Sequence, residues 1–233
     1  MGNNSREEIL DRVRKGLYGD PAHRAGTTSS GKEATDFHKE AEEIRRHNIA
    51  NVDSLSEQLI KELLNVNTEV RIAETEDELK ASIMELVRVK EISSFALWES
   101  DYLKKLGLRD FMTSEGLKYL EANDKEVIAK AGIGITGVDY AIADTGTLVL
   151  LTDGKRPRSV SLLPPTHLAI VKKDNIVSNI NELFVILKQK LDGTQDITSC
   201  MTFITGPSRT ADIELTLTLG VHGPKELFVF ILP

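Results

Sequence analysis

The sequence predicts an α/β protein: a three-layer α/β/α domain over residues 53–233, behind an N-terminal helical extension and linker over residues 1–52. Three observations lead there. Short apolar runs bounded by turn residues alternate with stretches whose apolar side chains recur at helical spacing, the rhythm of a parallel sheet covered by helices. Capping boxes, a Ser or Thr followed three residues later by Glu, stand at Ser5, Ser54 and Thr75. The chain has 233 residues, 40% of them apolar and 28% charged. It is therefore long enough to bury one sizeable core, with the composition of an ordinary globular domain.

The elements follow in order. Ser5-Arg6-Glu7-Glu8 opens a first helix with Ile9, Val13 and Leu17 on one face, ending near Gly19 to Pro21. Pro21 to Lys32 carries no large apolar side chain and reads as a linker. Phe37, Ala41 and Ile44 form a narrow stripe on a second helix running to about Asn48, a pattern suited to docking on a second subunit or partner. Ser54-Leu55-Ser56-Glu57 opens a third helix through Leu59, Ile60, Leu63 and Leu64. Strands are expected at Glu69 to Ala73 and Ser94 to Trp98, separated by a helix that Thr75 caps. Ser100 caps a short helix to about Leu106, and Asp124 to Lys130 is helical by composition. Further strands are expected at Leu168 to Val171, Thr202 to Thr205 and Leu227 to Leu232, with a helix over Asn181 to Leu191. Ile213, Leu215, Leu217 and Leu219 alternate as in a strand, whereas Gly206-Pro207 and the hydroxyls of Ser208 and Thr210 signal a helix start. A short helix after Thr210 is the expectation.

Composition narrows the function classes. A net charge of −7 argues against a broad nucleic-acid or membrane surface, which needs a basic excess. The N-terminal residues show neither a secretory signal pattern nor a myristoylation pattern, and no apolar run is long enough to span a bilayer. Cys200, the single cysteine, cannot form an intrachain disulfide or ligate an iron–sulfur cluster alone. Among apolar neighbours it reads as a buried structural thiol.

Gly134 to Leu151 is the stretch that organises the chain. Two apolar strands, Tyr140 to Ala143 and Leu148 to Leu151, flank Asp144-Thr145-Gly146-Thr147. That reversal carries more polar groups than a hairpin tip needs. Gly132-Ile133-Gly134-Ile135-Thr136-Gly137 is a literal G-x-G-x-x-G, but a helical segment precedes it and an extended one follows. That inverts the dinucleotide-binding context, so the glycines point instead to a close backbone approach within the sheet. Thr205-Gly206-Pro207-Ser208-Arg209-Thr210 follows an apolar strand. A helix beginning there would collect backbone donors, two hydroxyls and a guanidinium suited to an anion. Arg158 is a second candidate cation, whereas Lys155 and Arg156 are expected to be exposed beside the Asp153-Gly154 turn. Asp144 and Glu214 are candidate catalytic carboxylates, each also explicable as a turn or helix-end acid. His167 and His222 lack metal-site spacing and read as structural, with no metal site expected.

Four blocks together resemble the lactate utilisation protein C family, the LUD domain: Gly134 to Leu151, Arg158 to Val171, Ile204 to Glu214 and Gly220-Val221-His222-Gly223-Pro224. They occur in the family's order and spacing and cover Gly132 to Pro233. The resemblance implies a fold similar to the ribose-phosphate isomerase and CoA-transferase superfamily, and a cytoplasmic role in oxidising L-lactate to pyruvate. It also implies partner proteins that carry the iron–sulfur clusters, with no cofactor in this chain. Lactate and pyruvate are small anions. The expected ligand-binding residues are Thr145, Gly146, Thr147, Arg158, His167, Gly206, Ser208, Arg209 and Thr210, at one cleft on the sheet's strand ends. The alternatives are a freestanding acyl- or phosphoryl-group enzyme using Asp144 or Glu214, and a ligand-sensing regulator. A homo-oligomer formed through the N-terminal helices is also compatible.

Overall fold

The computed structural model describes residues 31–122, 124–191, 200–211, 217–220 and 222–233. Helices α1 (Gly31–Ala50) and α2 (Val52–Asn65) lead into β1 (Glu69–Ile72), α3 (Glu76–Val89) and β2 (Ser94–Leu97). Helices α4 (Asp101–Lys105) and α5 (Leu108–Ser114), strand β3 (Lys118–Tyr119) and helix α6 (Lys125–Ile128) follow. Strand β4 (Ile133–Gly137) runs into a hairpin of β5 (Tyr140–Ile142) and β6 (Thr147–Thr152). Next come α7 (Ser159–Leu162), β7 (Thr166–Lys172), β8 (Ile176–Val177) and α8 (Ile180–Leu191). Strands β9 (Cys200–Ile204), β10 (Arg209–Ala211), β11 (Leu217–Leu219) and β12 (Glu226–Leu232) complete the described elements.

The expected α/β architecture is present. Six strands form a parallel sheet in the order β1-β12-β7-β4-β2-β3. Its central strands are buried on both faces and largely apolar, as a sheet covered on both sides requires, with Thr136, Thr166 and His167 as buried polar exceptions. A second sheet, β8-β5-β6-β9, was not foreseen as a unit. Its period-two alternation splits the hairpin between two cores. Ala141, Ala143, Leu148 and Leu150 face the main core. Ile142, Val149 and Leu151 face a smaller one with Leu183, Ile186 and Leu187 of α8.

Local signals account for most helix starts. Thr75 accepts from the backbone N–H of Glu78, Ser100 from that of Leu103, and Asp124 from that of Glu126. The box at Ser54 does not cap: α2 starts earlier, at Val52, and the Ser56 hydroxyl donates back to Val52 O at 2.6 Å. Residues 212–216, where most of the helix expected after Thr210 would fall, lie outside the described residues; on either side of them β10 pairs antiparallel with β11, Arg209 opposite Leu219 and Ala211 opposite Leu217. The period-two alternation outweighs the turn chemistry because paired strands satisfy the backbone that a lone helical turn would leave open. The first helix, its capping box and most of the expected linker lie outside the described residues. Gly31 and Lys32, placed in that linker by sequence, are helical.

A compact unit runs from Ala41 to Pro233. Ala41 is fully buried and Ile44 partly buried against the small core of β5, β6, β8 and α8. Asn48 donates to the Glu182 carboxylate at 3.1 Å. The stripe expected to seek a partner thus docks, at these two residues, on its own chain; of Phe37 only the helical backbone is described. Ala41→Glu is expected to place an unpaired carboxylate in that core. Hydrogen exchange at Ala41–Ala50 should then rise to that of an unprotected segment while β12 stays protected.

Candidate ligand site at the start of the parallel strands

Four separated segments are drawn together where β7 and β12 begin. Position 134 fixes the first. A Cβ on Gly134 would lie 1.9 Å from Val160 O and 3.0 Å from Pro164 Cγ. Only glycine lets the α7 backbone lie this close to β4. The second is the start of β7, where His167 stands in register with Gly134 on one side and Leu227 on the other. The third is the Thr205–Ser208 turn leaving β9, and the fourth is His222–Pro224. Ser208 ties these two, its N–H donating to Pro224 O at 2.9 Å and its carbonyl accepting from Gly220 N–H at 3.1 Å. Pro165 O accepts from Lys225 N–H at 2.8 Å and so holds the last segment to the entry of β7.

These segments line a partly open cavity of about 190 Å³ whose wall includes Ser161, His167, Thr205, Gly206, Ser208 and His222. Pockets for drug-sized ligands run to roughly 300–1,000 Å³, so this one suits a molecule of few heavy atoms. Its floor is at the amino ends of β7 and β12. The cleft expected on the strands' outgoing ends is built by β9 alone, because the second sheet brings its exit turn across the entry side of the large one.

His167 is 1% exposed. Side-chain parity places it on the same sheet face as Gly134 and Thr136, and its Nε2 lies 2.9 Å from Thr136 Oγ1. Its Nδ1 has no hydrogen-bond partner among the described residues. Burial pushes the imidazole down to about 3, so the ring is neutral near pH 7. Two tautomers follow. If the Thr136 hydroxyl donates to Nε2, Nδ1 carries a proton and is a donor; if Nε2 donates, Nδ1 is an acceptor. Either way Nδ1 is a buried polar atom unpaired among the described residues, on a residue that lines the cavity, a condition worth roughly 1–3 kcal/mol to relieve.

The other expected site residues divide around this cavity. Thr147 Oγ1 lies 2.8 Å from Thr205 Oγ1 and 2.8 Å from Thr145 Oγ1, a hydroxyl chain leading from the cavity wall to the exposed Thr145. Gly146 (φ 63°) and Gly206 (φ 83°) both press on the end of α2: a Cβ would meet Glu62 C at 2.7 Å and Val66 O at 2.6 Å respectively. The two loops therefore converge, but the first supports the second and does not line the cavity. Asp144 is exposed and also outside the lining. Glu214 lies outside the described residues, and of Thr210 only the backbone in β10 is described. Arg158 is exposed, its carbonyl accepting from the Ser161 hydroxyl at 3.0 Å.

Arg209 turns away from the cavity and donates to Val66 O at 2.8 Å, satisfying a carbonyl at the C-terminal end of α2. Arg209→Ala is accordingly expected to lower stability by about 1 kcal/mol in a denaturant melt. A loss of ligand affinity at unchanged stability would return Arg209 to the ligand.

Arg156 departs from the exposed position expected of it. It bridges Asp139 Oδ1 at 2.9 Å and Asp153 Oδ2 at 2.8 Å, with a quarter of its side chain exposed. The Asp139 carboxylate explains this, since it also accepts from Leu151 N–H at 2.7 Å and anchors the hairpin. Cys200 is half-buried on β9. Ser161 and Thr136 were missed by sequence reasoning. The available signal was Thr136 itself, a lone hydroxyl in the apolar run of β4, spaced two residues from Gly134. Among the described residues no group of three or more His, Cys, Asp or Glu could hold a metal ion, and no helix is long and apolar enough to cross a membrane.

An α/β domain with a small, partly open cavity at the entry of its central strands is the class that this geometry defines. The chain belongs to the LUD domain family, whose model matches residues 56–232. It is 34% identical over 177 residues to Lactate utilization protein C of Halalkalibacterium halodurans, covering 74% of this chain and 75% of that protein. Lactate utilization protein C of Bacillus licheniformis is 40% identical over 136 residues, 54% of this chain and 57% of that protein. A crystal structure of a DUF162 family protein from Deinococcus radiodurans shares the fold, with a TM-score of 0.58 at 20% identity, over 78% of this chain and 98% of that one.

Proposed function

We propose that this protein serves lactate utilisation in the cytoplasm, as a subunit or accessory protein of a system that oxidises L-lactate to pyruvate, and that it holds a small carboxylate anion in the His167 cavity. The relatives named for lactate utilisation support the process. The observation that carries the site is a buried neutral imidazole, its Nδ1 unpaired among the described residues, on a residue that lines a cavity sized for a few heavy atoms. In the tautomer that Thr136 sets by donating to Nε2, Nδ1–H donates to a carboxylate or ketone oxygen, and the Ser208 hydroxyl is a further donor in the wall, the Ser161 proton being given to Arg158 O. The ligand is held without a formal charge, so binding is moderate and the ligand is released readily. With a single cysteine, electron transfer falls to iron–sulfur partner proteins.

The test is complementation. A strain lacking this gene should regain growth on L-lactate with the wild-type chain, and should fail to regain it with His167→Asn at matched protein levels. Full growth with that variant would remove the cavity from the function.

A further inference from the structure

A second cavity stands apart from the His167 site, at the opposite ends of the parallel strands. The connection leaving β2 runs outward to β3, while the one leaving β4 runs the other way and re-enters the sheet at β7. Adjacent strands β2 and β4 therefore send their chains to opposite sides, and their carboxyl ends form a topological switch point, where open α/β sheets bind ligands. On the β3 side of it, lined by the end of β2, by α4 and α5 and by Tyr119 of β3 but by no residue of β4, opens a cavity of about 350 Å³, within the range of pockets that take ligands larger than a three-carbon acid. Its floor is apolar: Leu97, Trp98, Leu103 and Leu108 are buried. Its rim carries two cations, Lys104 and Arg109, and two carboxylates, Glu99 and Asp110.

Arg109 is set for an anion. Its guanidinium lies 4.3 Å from the Tyr119 ring centroid, a cation–π contact that holds it on the rim. Among the described residues no carboxylate lies within ion-pair distance of it, so its in-plane donors are open to a bidentate oxyanion. Lys104, 3.8 Å from Glu99, supplies a second positive charge on the same rim. The carboxylates of Glu99 and Asp110 would repel a bare anion but accept from hydroxyl or amino donors.

We propose that this cavity binds a mononucleotide-type ligand: a phosphate taken by Arg109 and Lys104, hydroxyl or amino groups received by Glu99 and Asp110, and a planar body on the apolar floor. The site is independent of the lactate reading and uses none of its residues.

Trp98 is the only tryptophan and lies in the cavity wall, so its emission reports occupancy. The full chain is titrated with AMP, adenosine and inorganic phosphate. Saturable quenching by AMP is expected, with adenosine and phosphate each weaker by about tenfold or more, since each forfeits one half of the contacts. Arg109→Ala, an exposed position whose loss leaves the floor intact, should weaken AMP by about tenfold or more. His167→Asn should leave AMP binding unchanged, which separates the two sites. Absence of saturable AMP binding at millimolar concentration, or AMP binding that Arg109→Ala and Lys104→Ala both leave untouched, would overturn the assignment.

Discussion

Gly134→Ala is expected to be the most damaging single-methyl change in the described chain. The added Cβ would sit 1.9 Å from a backbone oxygen of α7, which has no rotamer to yield. Overpacking in a close-packed interior costs roughly 1–3 kcal/mol, and more when the neighbour is backbone, so a loss of about 3 kcal/mol is expected. The change should also reach the ligand site. Relief requires α7 to lift from β4, and α7 carries Ser161 and Leu162 into the cavity wall. A urea titration at neutral pH measures the first effect. Gly154→Ala is the matched control, because a Cβ there meets nothing within 4 Å. Equal midpoints for the two variants would mean that α7 does not lie against β4 as described.

His167 gives the second large effect, a dependence of stability on pH. Its folded-state value, about 3, lies below the ordinary 6.5 because burial disfavours the charged ring. The unfolded chain therefore binds a proton near pH 6.5 that the folded chain refuses. Stability from this group is fully present above pH 6.5 and is lost as pH falls toward 3, at about 1.4 kcal/mol per pH unit. Between pH 6.5 and 5, where carboxylates remain mostly ionised, the loss should approach about 2 kcal/mol. In His167→Asn that part of the slope should vanish, whatever the variant's stability at neutral pH. A variant as pH-sensitive as the wild type over that window would show that the imidazole is not held neutral by burial.

Much of the fold is legible locally. The starts of α3, α4 and α6 follow from Thr75, Ser100 and Asp124, whose side chains accept from their own first-turn N–H groups. The buried strands follow from continuous apolar runs, and the G-x-G-x-x-G segment from its inverted flanks: it is strand β4, and its middle glycine serves close packing against α7. What failed required contacts distant in sequence. Gly206-Pro207-Ser208 carries the chemistry of a helix start, yet β11 is available and β10 pairs with it. Ala41 and Ile44 form a stripe whose partner, the outer face of β5, β6 and β8, exists only once the second sheet is assembled.

The candidate site was legible in part for the same reason. Gly206, Ser208 and His167 were singled out by block and do meet at one cavity. Thr145 and Thr147 reach it only through the Thr147–Thr205 hydroxyl contact. Arg209 looked like an anion clamp because an arginine beside a glycine turn usually has open donors; here the unsatisfied end of α2 takes one of them. Ser161 and Thr136 carried no distinguishing pattern of their own. Their significance arises from the register that sets β4 beside β7 and from the glycine that admits α7.

The most direct test of the central claim watches the His167 ring itself. The imidazole nitrogens of the ¹⁵N-labelled protein are followed by NMR at pH 7 while L-lactate and, separately, pyruvate are added. The account predicts a neutral ring in the free protein, with the proton on one nitrogen, and a saturable shift of the Nδ1 resonance as ligand binds. That shift should need more ligand to saturate in Ser208→Ala, whose lost hydroxyl lines the cavity. A ring already charged at pH 7, or an Nδ1 resonance that neither acid moves at saturating concentration, would contradict it.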